Sequence, residues 1–411
     1  MQYWTTFTDS VTRPPFSGMT VLLVAVVGAM LVLFARDRIL KGRSEPVVLM
    51  PSERVLVESR AGAGSTLSIP RYKLFQDPGS PERIWAGLSL DGEGGDTFLT
   101  VDGGDTWTTV ASIGWEMHMS LAGNDSGYVH FIDRGSPTAR YLRLDHDTFE
   151  PDAATGFTDY GNQTTSGNVA VHGNVVVVFT RNRDDNSAPV HWHRSTDNGS
   201  SWQHGVVHGT GNDSDGLHRI GSCVIDGEVA LVYWKETGAQ EDTITLHRWN
   251  GTAFARLDGS YATSTSSPYT RQFAITQDAA GLIHLVAWDI VDGRRVVRHS
   301  TRRLDGAWSQ ARTIVEWEND DIHPQLSAYG DRVLLLYLYN PDSSDASRAQ
   351  VYYSVWNPET EWQSSGTPLY GGERAGARYP TAPQVTSPHS TFVPVMWSQG
   401  EDVHFLRLTI D

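Results

Sequence analysis

The chain has 411 residues, a formal net charge of −16 at pH 7, 39 glycines, 14 tryptophans and one cysteine. The negative charge argues against a nucleic-acid partner, because binding to phosphates requires a basic face. One cysteine cannot form a disulfide framework within the chain, so cysteine content does not indicate the compartment. Abundant glycine and tryptophan are typical of a β-rich chain with many turns.

The N-terminal region divides into a tail (1–15), an apolar segment (16–35) and a linker (36–65). The apolar segment carries no charge and is rich in Val, Leu, Ala and Met. As a helix its twenty residues would span about 30 Å, the thickness of a bilayer core. We therefore predict one transmembrane helix over 16–35. A cleaved signal peptide is the rival interpretation, but Arg13 is the only basic residue before the segment and no clear cleavage site follows it.

Two eight-residue segments, Thr100–Trp107 and Ser195–Trp202, share one pattern: hydroxyl, any, Asp, any, Gly, any, hydroxyl, Trp. The pattern predicts a tight turn between two strands. In such a turn the Asp accepts hydrogen bonds from backbone N–H groups, the Gly adopts positive φ, and the Trp packs against the sheet. The residues that would carry the two turns are Asp102, Gly104, Trp107, Asp197, Gly199 and Trp202.

These segments resemble the Asp-box, or BNR repeat, of sialidase-like β-propellers. The resemblance implies an all-β propeller and a structural role for the box. It implies little about activity.

Two series of aromatic residues repeat with a period near 50, which is typical of a radial array of four-stranded blades. The first series would open the outermost strand of each blade and consists of Trp107, Phe149, Trp202, Phe254, Trp308 and Trp362. The second would lie near the end of the apolar second strand and consists of Phe131, Phe179, Trp234, Trp288, Tyr339 and Trp397. We predict a seven-bladed propeller over 66–411, with six blades as the alternative.

The last repeat ends at Asp411 without a fourth strand. An unpaired strand edge invites pairing with another segment. We therefore expect an N-terminal strand, drawn from 54–59 or 66–72, to complete the last blade. The first blade, with its bulk in 83–112, needs a short innermost strand before it.

The resemblance also implies where an active site would lie, because sialidases use residues at the starts of the innermost strands. A sialidase grips a carboxylate with three arginines and uses a Tyr, a Glu and an Asp in catalysis. Residues at comparable positions here are Arg219, Arg271, Arg378, Tyr379 and Glu116. Some seven-bladed polysaccharide lyases and glycosidases instead use His, Tyr and Arg, and His118, His218 and His323 are similarly placed.

One departure weakens the sialidase interpretation. The family's Arg-Ile-Pro motif is Ser68-Ile69-Pro70 in this chain, so one carboxylate-binding arginine is absent. We expect no sialidase activity. We expect the remaining arginines to be solvated or to face a protein partner.

No cofactor or metal is predicted. His191 and His193 lie two residues apart on a predicted strand and would face the same way, but no third ligand is evident. The acidic turns lack the spacing of a calcium loop. Cys223 lies in an apolar strand and is interpreted as a core residue.

We predict a non-catalytic, membrane-anchored propeller that serves as an accessory or scaffold subunit of a larger bacterial membrane complex (photosynthetic, respiratory or secretory). Its partners would be the bilayer and other subunits. The alternative is a glycan-active enzyme, a sialidase-like hydrolase or a polysaccharide lyase. Four basic residues follow the span, at positions 36, 38, 41 and 43, which favours a cytoplasmic propeller. Asp-box propellers are usually exported, and on that ground we predict that the propeller lies on the periplasmic face of the inner membrane.

Overall fold

In the computed structural model, seven antiparallel sheets follow one another along the chain. The structure describes residues 54–57, 72–90, 94–112, 120–123, 127–133, 137–161, 165–182, 185, 187–210, 219–236, 242–263, 272–317, 322–340, 348–362, 366–369, 376–399 and 402–410. The predicted transmembrane segment 16–35 lies outside these residues. Within them, no helix is long and apolar enough to cross a bilayer.

The N-terminal strand β1 (Arg54–Val57) belongs to the last blade, and the other strands follow in chain order. Blade 1 comprises β2 (Leu74–Gln76), β3 (Ile84–Leu90), β4 (Gly94–Thr100) and β5 (Thr108–Ser112). Blade 2 comprises β6 (Ser120–Gly123), β7 (Tyr128–Asp133), β8 (Ala139–Asp145) and β9 (Pro151–Phe157). Blade 3 comprises β10 (Thr165–His172), β11 (Val175–Asn182), β12 (His191–Ser195) and β13 (Gln203–Val206).

The next two blades differ in their outer strand. Blade 4 comprises β14 (Arg219–Ile225), β15 (Glu228–Glu236), β16 (Asp242–Trp249), β17 (Phe254–Arg256) and β18 (Tyr261–Thr263). Blade 5 comprises β19 (Phe273–Gln277), β20 (Ile283–Val291), β21 (Arg294–Arg302) and β22 (Arg312–Trp317). In blade 4 the outer strand is split, because β17 and β18 pair with opposite ends of β16.

Blade 6 has a split outer strand as well, and blade 7 is completed from the N-terminus. Blade 6 comprises β23 (Gln325–Tyr329), β24 (Arg332–Tyr339), β25 (Gln350–Asn357), β26 (Glu361–Trp362) and β27 (Thr367–Pro368). Blade 7 comprises β28 (Ala377–Thr381), β29 (Val393–Gln399), β30 (Asp402–Leu408) and β1, which pairs antiparallel with β30. The seven-bladed prediction is therefore confirmed, and the six-bladed alternative is wrong. The closing strand comes from the first of the two predicted segments.

Local sequence explains the strands and their turns. β11 contains four consecutive valines followed by Phe179, and β-branched and aromatic residues favour extended backbone. Two hairpins turn on Asp-Gly pairs, Asp226-Gly227 between β14 and β15 and Asp292-Gly293 between β20 and β21. All four residues have positive φ, as a two-residue type I′ hairpin turn requires.

The hydrophobic core is divided among the seams between blades. Seven apolar clusters occur in the described part of the chain, each formed by two neighbouring blades. The first aromatic series packs in these seams against the preceding blade. Trp202, for example, lies edge-on to Tyr141 with ring centroids 4.8 Å apart. The last seam joins blades 7 and 1 and includes Phe405 and Ile84, so apolar packing closes the ring.

The two turns that resemble the Asp-box have the same hydrogen bonds, and both lie between the outer two strands of their blades. In the second turn, the Ser195 hydroxyl accepts from the N–H of Gly199 at 2.7 Å and donates to Asp197 at 2.7 Å. Ser201 donates its N–H and its hydroxyl to the same carboxylate at 2.9 and 2.6 Å. Thr100, Asp102, Gly104 and Thr106 make the equivalent four bonds in the first turn.

An arginine of the preceding blade binds each of these turns, which the sequence pattern did not reveal. Arg143 of β8 donates to the carbonyl of Asn198 at 2.7 Å. Arg407 of β30 donates to the carbonyls of Asp102 and Gly103, each at 2.6 Å. The turns therefore join neighbouring blades as well as neighbouring strands.

The first strands of the blades surround the channel axis. From blade 1 to blade 6, the first strand of each blade contacts the first strand of the next. In blade 7, β28 contacts β24 of blade 6 and β29 contacts β2 of blade 1, which completes the ring. We call the end at which these first strands begin the channel mouth.

Candidate functional site

Four of the eight predicted site residues lie in the described part of the chain, all at the channel mouth. Arg219 begins β14, His323 precedes β23 by two residues, and Arg378 and Tyr379 lie near the start of β28. Tyr379 of blade 7 is in ring contact with His323 of blade 6, and Arg219 of blade 4 and Arg378 of blade 7 are near enough to act electrostatically on His323. The other four predicted residues, Glu116, His118, His218 and Arg271, lie outside the described residues.

His323 is at the centre of the group. Its side chain is buried, and its ring lies 4.5 Å from that of Tyr379, centroid to centroid, at an interplanar angle of 68°. The edge-to-face geometry is a favourable aromatic arrangement. A histidine of blade 6 and a tyrosine of blade 7 are thus in direct contact at the mouth.

Two arginines act electrostatically on His323. Burial, and after it the charges of Arg219 and Arg378, lower the pKa of its imidazole to about 3. The imidazole is therefore neutral at pH 7, whereas both guanidinium groups are charged. Arg378 is exposed and Arg219 is half-buried, so both charges border solvent.

The backbone at the mouth adopts an uncommon conformation at two positions. His323 has a φ of 48° and Tyr379 a φ of 51°, in the left-handed region that residues other than glycine seldom occupy. The Tyr379 position falls within a register shift between Arg378 and Thr381, where β28 departs from regular pairing with β29. Bulges of this kind redirect side chains, and unusual backbone conformations cluster at functional sites.

Gln272, just before β19, was not found by sequence reasoning. Its Oε1 accepts hydrogen bonds from the backbone N–H groups of Ile322 at 3.2 Å and His323 at 2.6 Å. A polar residue at the end of an apolar strand is common in sequences, so no pattern distinguishes it. The contact depends on the neighbouring blade, which the sequence does not place.

The channel is crossed by the connector between β28 and β29. The Nε2 of Gln384, in this connector, donates to the carbonyls of Ser222 at 3.0 Å and Ile275 at 3.3 Å, in blades 4 and 5. Val385 forms an isolated parallel bridge with Ala328 of blade 6. The connector leaves the end of β28 that is opposite the mouth. It therefore obstructs the channel on that side.

The histidine pair of β12, His191 and His193, contacts one carboxylate. His193 Nε2 lies 2.9 Å from one carboxylate oxygen of Asp159, and His191 Nδ1 lies 3.6 Å from the other. Burial alone would raise the pKa of Asp159, but the hydrogen bond and charge of His193 outweigh it and lower this pKa. The described residues contain no cluster of three or more His, Cys, Asp or Glu able to hold a metal ion.

Cys223 is fully buried in β14, and burial raises the pKa of its thiol to about 12. A thiol that remains protonated at neutral pH is a poor nucleophile. The interpretation of Cys223 as a core residue agrees with this environment.

No protein-family model matches the chain, and no curated protein matches its sequence. Solved structures with similar folds include an ulvan lyase of polysaccharide lyase family PL25, with a TM-score of 0.55 and 9% identity over 84% of this chain and 95% of that one. Another is YCF48 bound to a D1 peptide, with a TM-score of 0.51 and 13% identity over 89% and 97%. The NanB sialidase of Streptococcus pneumoniae is also similar, with a TM-score of 0.47 and 11% identity over 87% and 70%. At these identities the similarity to the ulvan lyase and to YCF48 shows the propeller fold alone.

Proposed function

We propose that the propeller binds an acidic glycan at the channel mouth and that it recognises the carboxylate groups of the glycan. The observation that carries this proposal is the grouping of Arg219, Arg378, His323 and Tyr379 from three blades. Guanidinium groups bind carboxylates through charge-assisted hydrogen bonds. The guanidinium charges of Arg219 and Arg378, which both act on His323, would attract an anion to the mouth.

The same grouping supports the enzymatic alternative. Histidine and tyrosine are residue types that enzymes use for proton transfer, but a pKa near 3 makes the His323 imidazole a weak base at pH 7. A uronic acid whose carboxylate is neutralised by arginine loses its α-proton more readily, as in an elimination reaction. Similarity to an ulvan lyase supports glycan chemistry as the first class of reaction to test.

The scaffold predicted from the sequence is the second candidate. One observation favours it: the similar propeller YCF48 has been solved with a bound D1 peptide, so this architecture can present a protein-binding surface. A transmembrane helix over 16–35 would bring such a surface to a membrane complex. The identity of that complex and the side of the membrane stay predictions.

Isothermal titration of the full chain, in detergent, with tetragalacturonate and with the neutral cellotetraose tests the main proposal. We expect binding of the acidic tetrasaccharide only. Arg219→Ala and Arg378→Ala should each weaken it about tenfold to a hundredfold, because a hydrogen bond to a charged group contributes roughly 1.5–3 kcal/mol. Arg294→Ala is the matched control, since Arg294 is 71% exposed and pairs with Glu316 at the surface.

Three outcomes distinguish the candidates. Equal affinity for both tetrasaccharides, or an equal loss in the Arg294→Ala control, would contradict the proposed site. Release of unsaturated sugars, followed by ultraviolet absorbance, would promote the lyase alternative. Co-purification of a defined membrane complex after mild detergent extraction, without glycan binding, would favour the scaffold.

A further inference from the structure

Gln272 connects two blades at the mouth. It is 3% exposed, and its own carbonyl accepts from the N–H of Trp288 at 3.0 Å, which fixes its backbone to blade 5. Its side chain reaches the segment before β23 in blade 6. There one amide oxygen accepts from two consecutive N–H groups, those of Ile322 and His323.

These two N–H groups need an acceptor. Ile322 and His323 precede β23 and are buried, so their N–H groups are outside its strand pairing. A buried backbone N–H must be paired to avoid a free-energy penalty, and an amide oxygen has two lone pairs with which to pair both. Because both partners are donors, the oxygen of Gln272 is assigned to this side.

The same bonds hold a disfavoured conformation. A φ of 48° at His323 is costly for a residue with a Cβ, and such a conformation persists only where its surroundings hold it. The 2.6 Å bond to the His323 N–H acts directly on that residue. Gln272 therefore influences the orientation of the His323 imidazole.

We propose that Gln272 is a positioning residue that sets the orientation of His323 at the anion-binding mouth. This inference rests on the proposed function and adds a residue that does not itself contact the ligand. Its action is through the backbone of the neighbouring blade.

The chain offers a matched control in Gln325, the first residue of β23. Gln325 is 1% exposed, so it is as buried as Gln272. Within the described residues its Oε1 accepts no hydrogen bond. Gln325→Met thus makes the same substitution two residues from His323 without removing a contact to its backbone.

The experiment compares Gln272→Met with Gln325→Met in the full chain labelled with ¹⁵N-histidine, the His323 signal being assigned from His323→Gln. Gln272→Met should shift the His323 amide resonance and accelerate its hydrogen exchange, whereas Gln325→Met should leave both unchanged. Gln272→Glu retains the acceptor oxygens and should restore slow exchange. Affinity for tetragalacturonate should fall about tenfold or more in Gln272→Met only, because His323 loses its orientation at the mouth.

The two failures are distinguishable. An unchanged His323 amide in Gln272→Met, or the same change in both methionine variants, would overturn the positioning role. A wild-type chain that does not bind tetragalacturonate would refute the proposed function, while the amide measurement, made without ligand, still decides whether Gln272 positions His323.

Discussion

At the scale of residues, hydrogen bonds of short polar side chains, not strand pairing, hold the two turns that resemble the Asp-box. Burial has little effect on the pKa of the Asp197 carboxyl, and hydrogen bonds from Ser201 and Ser195 lower this pKa to about 2. For Asp102, burial raises the pKa, but hydrogen bonds from Thr100 and Thr106 outweigh it and leave the pKa well below its ordinary value. Both carboxylates stay ionised at neutral pH. Each therefore keeps its acceptor capacity for the N–H groups of its turn.

The glycine of the second turn should be irreplaceable. Gly199 has a φ of 85°, and an added Cβ would lie 2.0 Å from the Tyr141 hydroxyl. Gly173 is the matched control, because its φ is 53° and nothing lies within 4 Å of its added Cβ. We expect Gly173→Ala to cost about 1 kcal/mol of unfolding free energy from backbone strain. Gly199→Ala should cost several times as much in urea unfolding. Equal costs would show that the contact with Tyr141 is unimportant.

The site could be predicted only in part from the sequence. Strand starts could be located from alternation and turns, which led to Arg219, His323, Arg378 and Tyr379 as candidates. Their proximity depends on which blades are neighbours and on the left-handed backbone at two of them, and neither is encoded in a local pattern. Gln272 was not predicted for the same reason, because its partners Ile322 and His323 lie about fifty residues away in the chain.

At the scale of elements, the seams explain why the aromatic period was informative. Each member of the first series contacts the preceding blade, as Trp107 does with Phe405 at 5.1 Å and Trp362 with His299 at 5.0 Å. A residue that must fill the same gap in every seam recurs with the blade period. The split outer strands of blades 4 and 6 were not predictable, because outer strands contribute little apolar patterning.

Removal of the closing strand should destabilise the ring. β1 pairs with β30 from Arg54, opposite Phe405, to Val57, opposite Val403. A chain that begins at residue 54 keeps this strand, whereas one that begins at residue 60 leaves β30 as an open edge. We expect the shorter chain to melt several degrees lower by circular dichroism and to aggregate more readily. Identical melting of the two chains would mean that β1 contributes nothing to closure.

At the scale of the whole molecule, buried histidines should make the fold sensitive to acid. Burial is the main cause that lowers the pKa of His130, His299 and His323 to about 3 and of His247 to about 4, from an ordinary value of 6.5. Below pH 6.5 the unfolded chain therefore binds more protons than the folded one. The part of the unfolding free energy that depends on these neutral histidines is fully present above pH 6.5 and is lost as the pH falls toward 4.

Urea midpoints at pH 7.5 and pH 5 measure this dependence. The midpoint should be lower at pH 5, and His299→Phe should reduce the difference because one buried titrating group is removed. His208→Gln should leave the difference unchanged, since His208 is exposed. A midpoint that is the same at both pH values would contradict the role of the buried histidines.

The central claim is that the mouth binds carboxylates, and a structure of the full chain with tetragalacturonate tests it most directly. We predict a sugar carboxylate within hydrogen-bonding distance of the Arg219 and Arg378 guanidinium groups, beside His323 and Tyr379. A tetrasaccharide bound on another surface, with the mouth occupied by solvent alone, would contradict it.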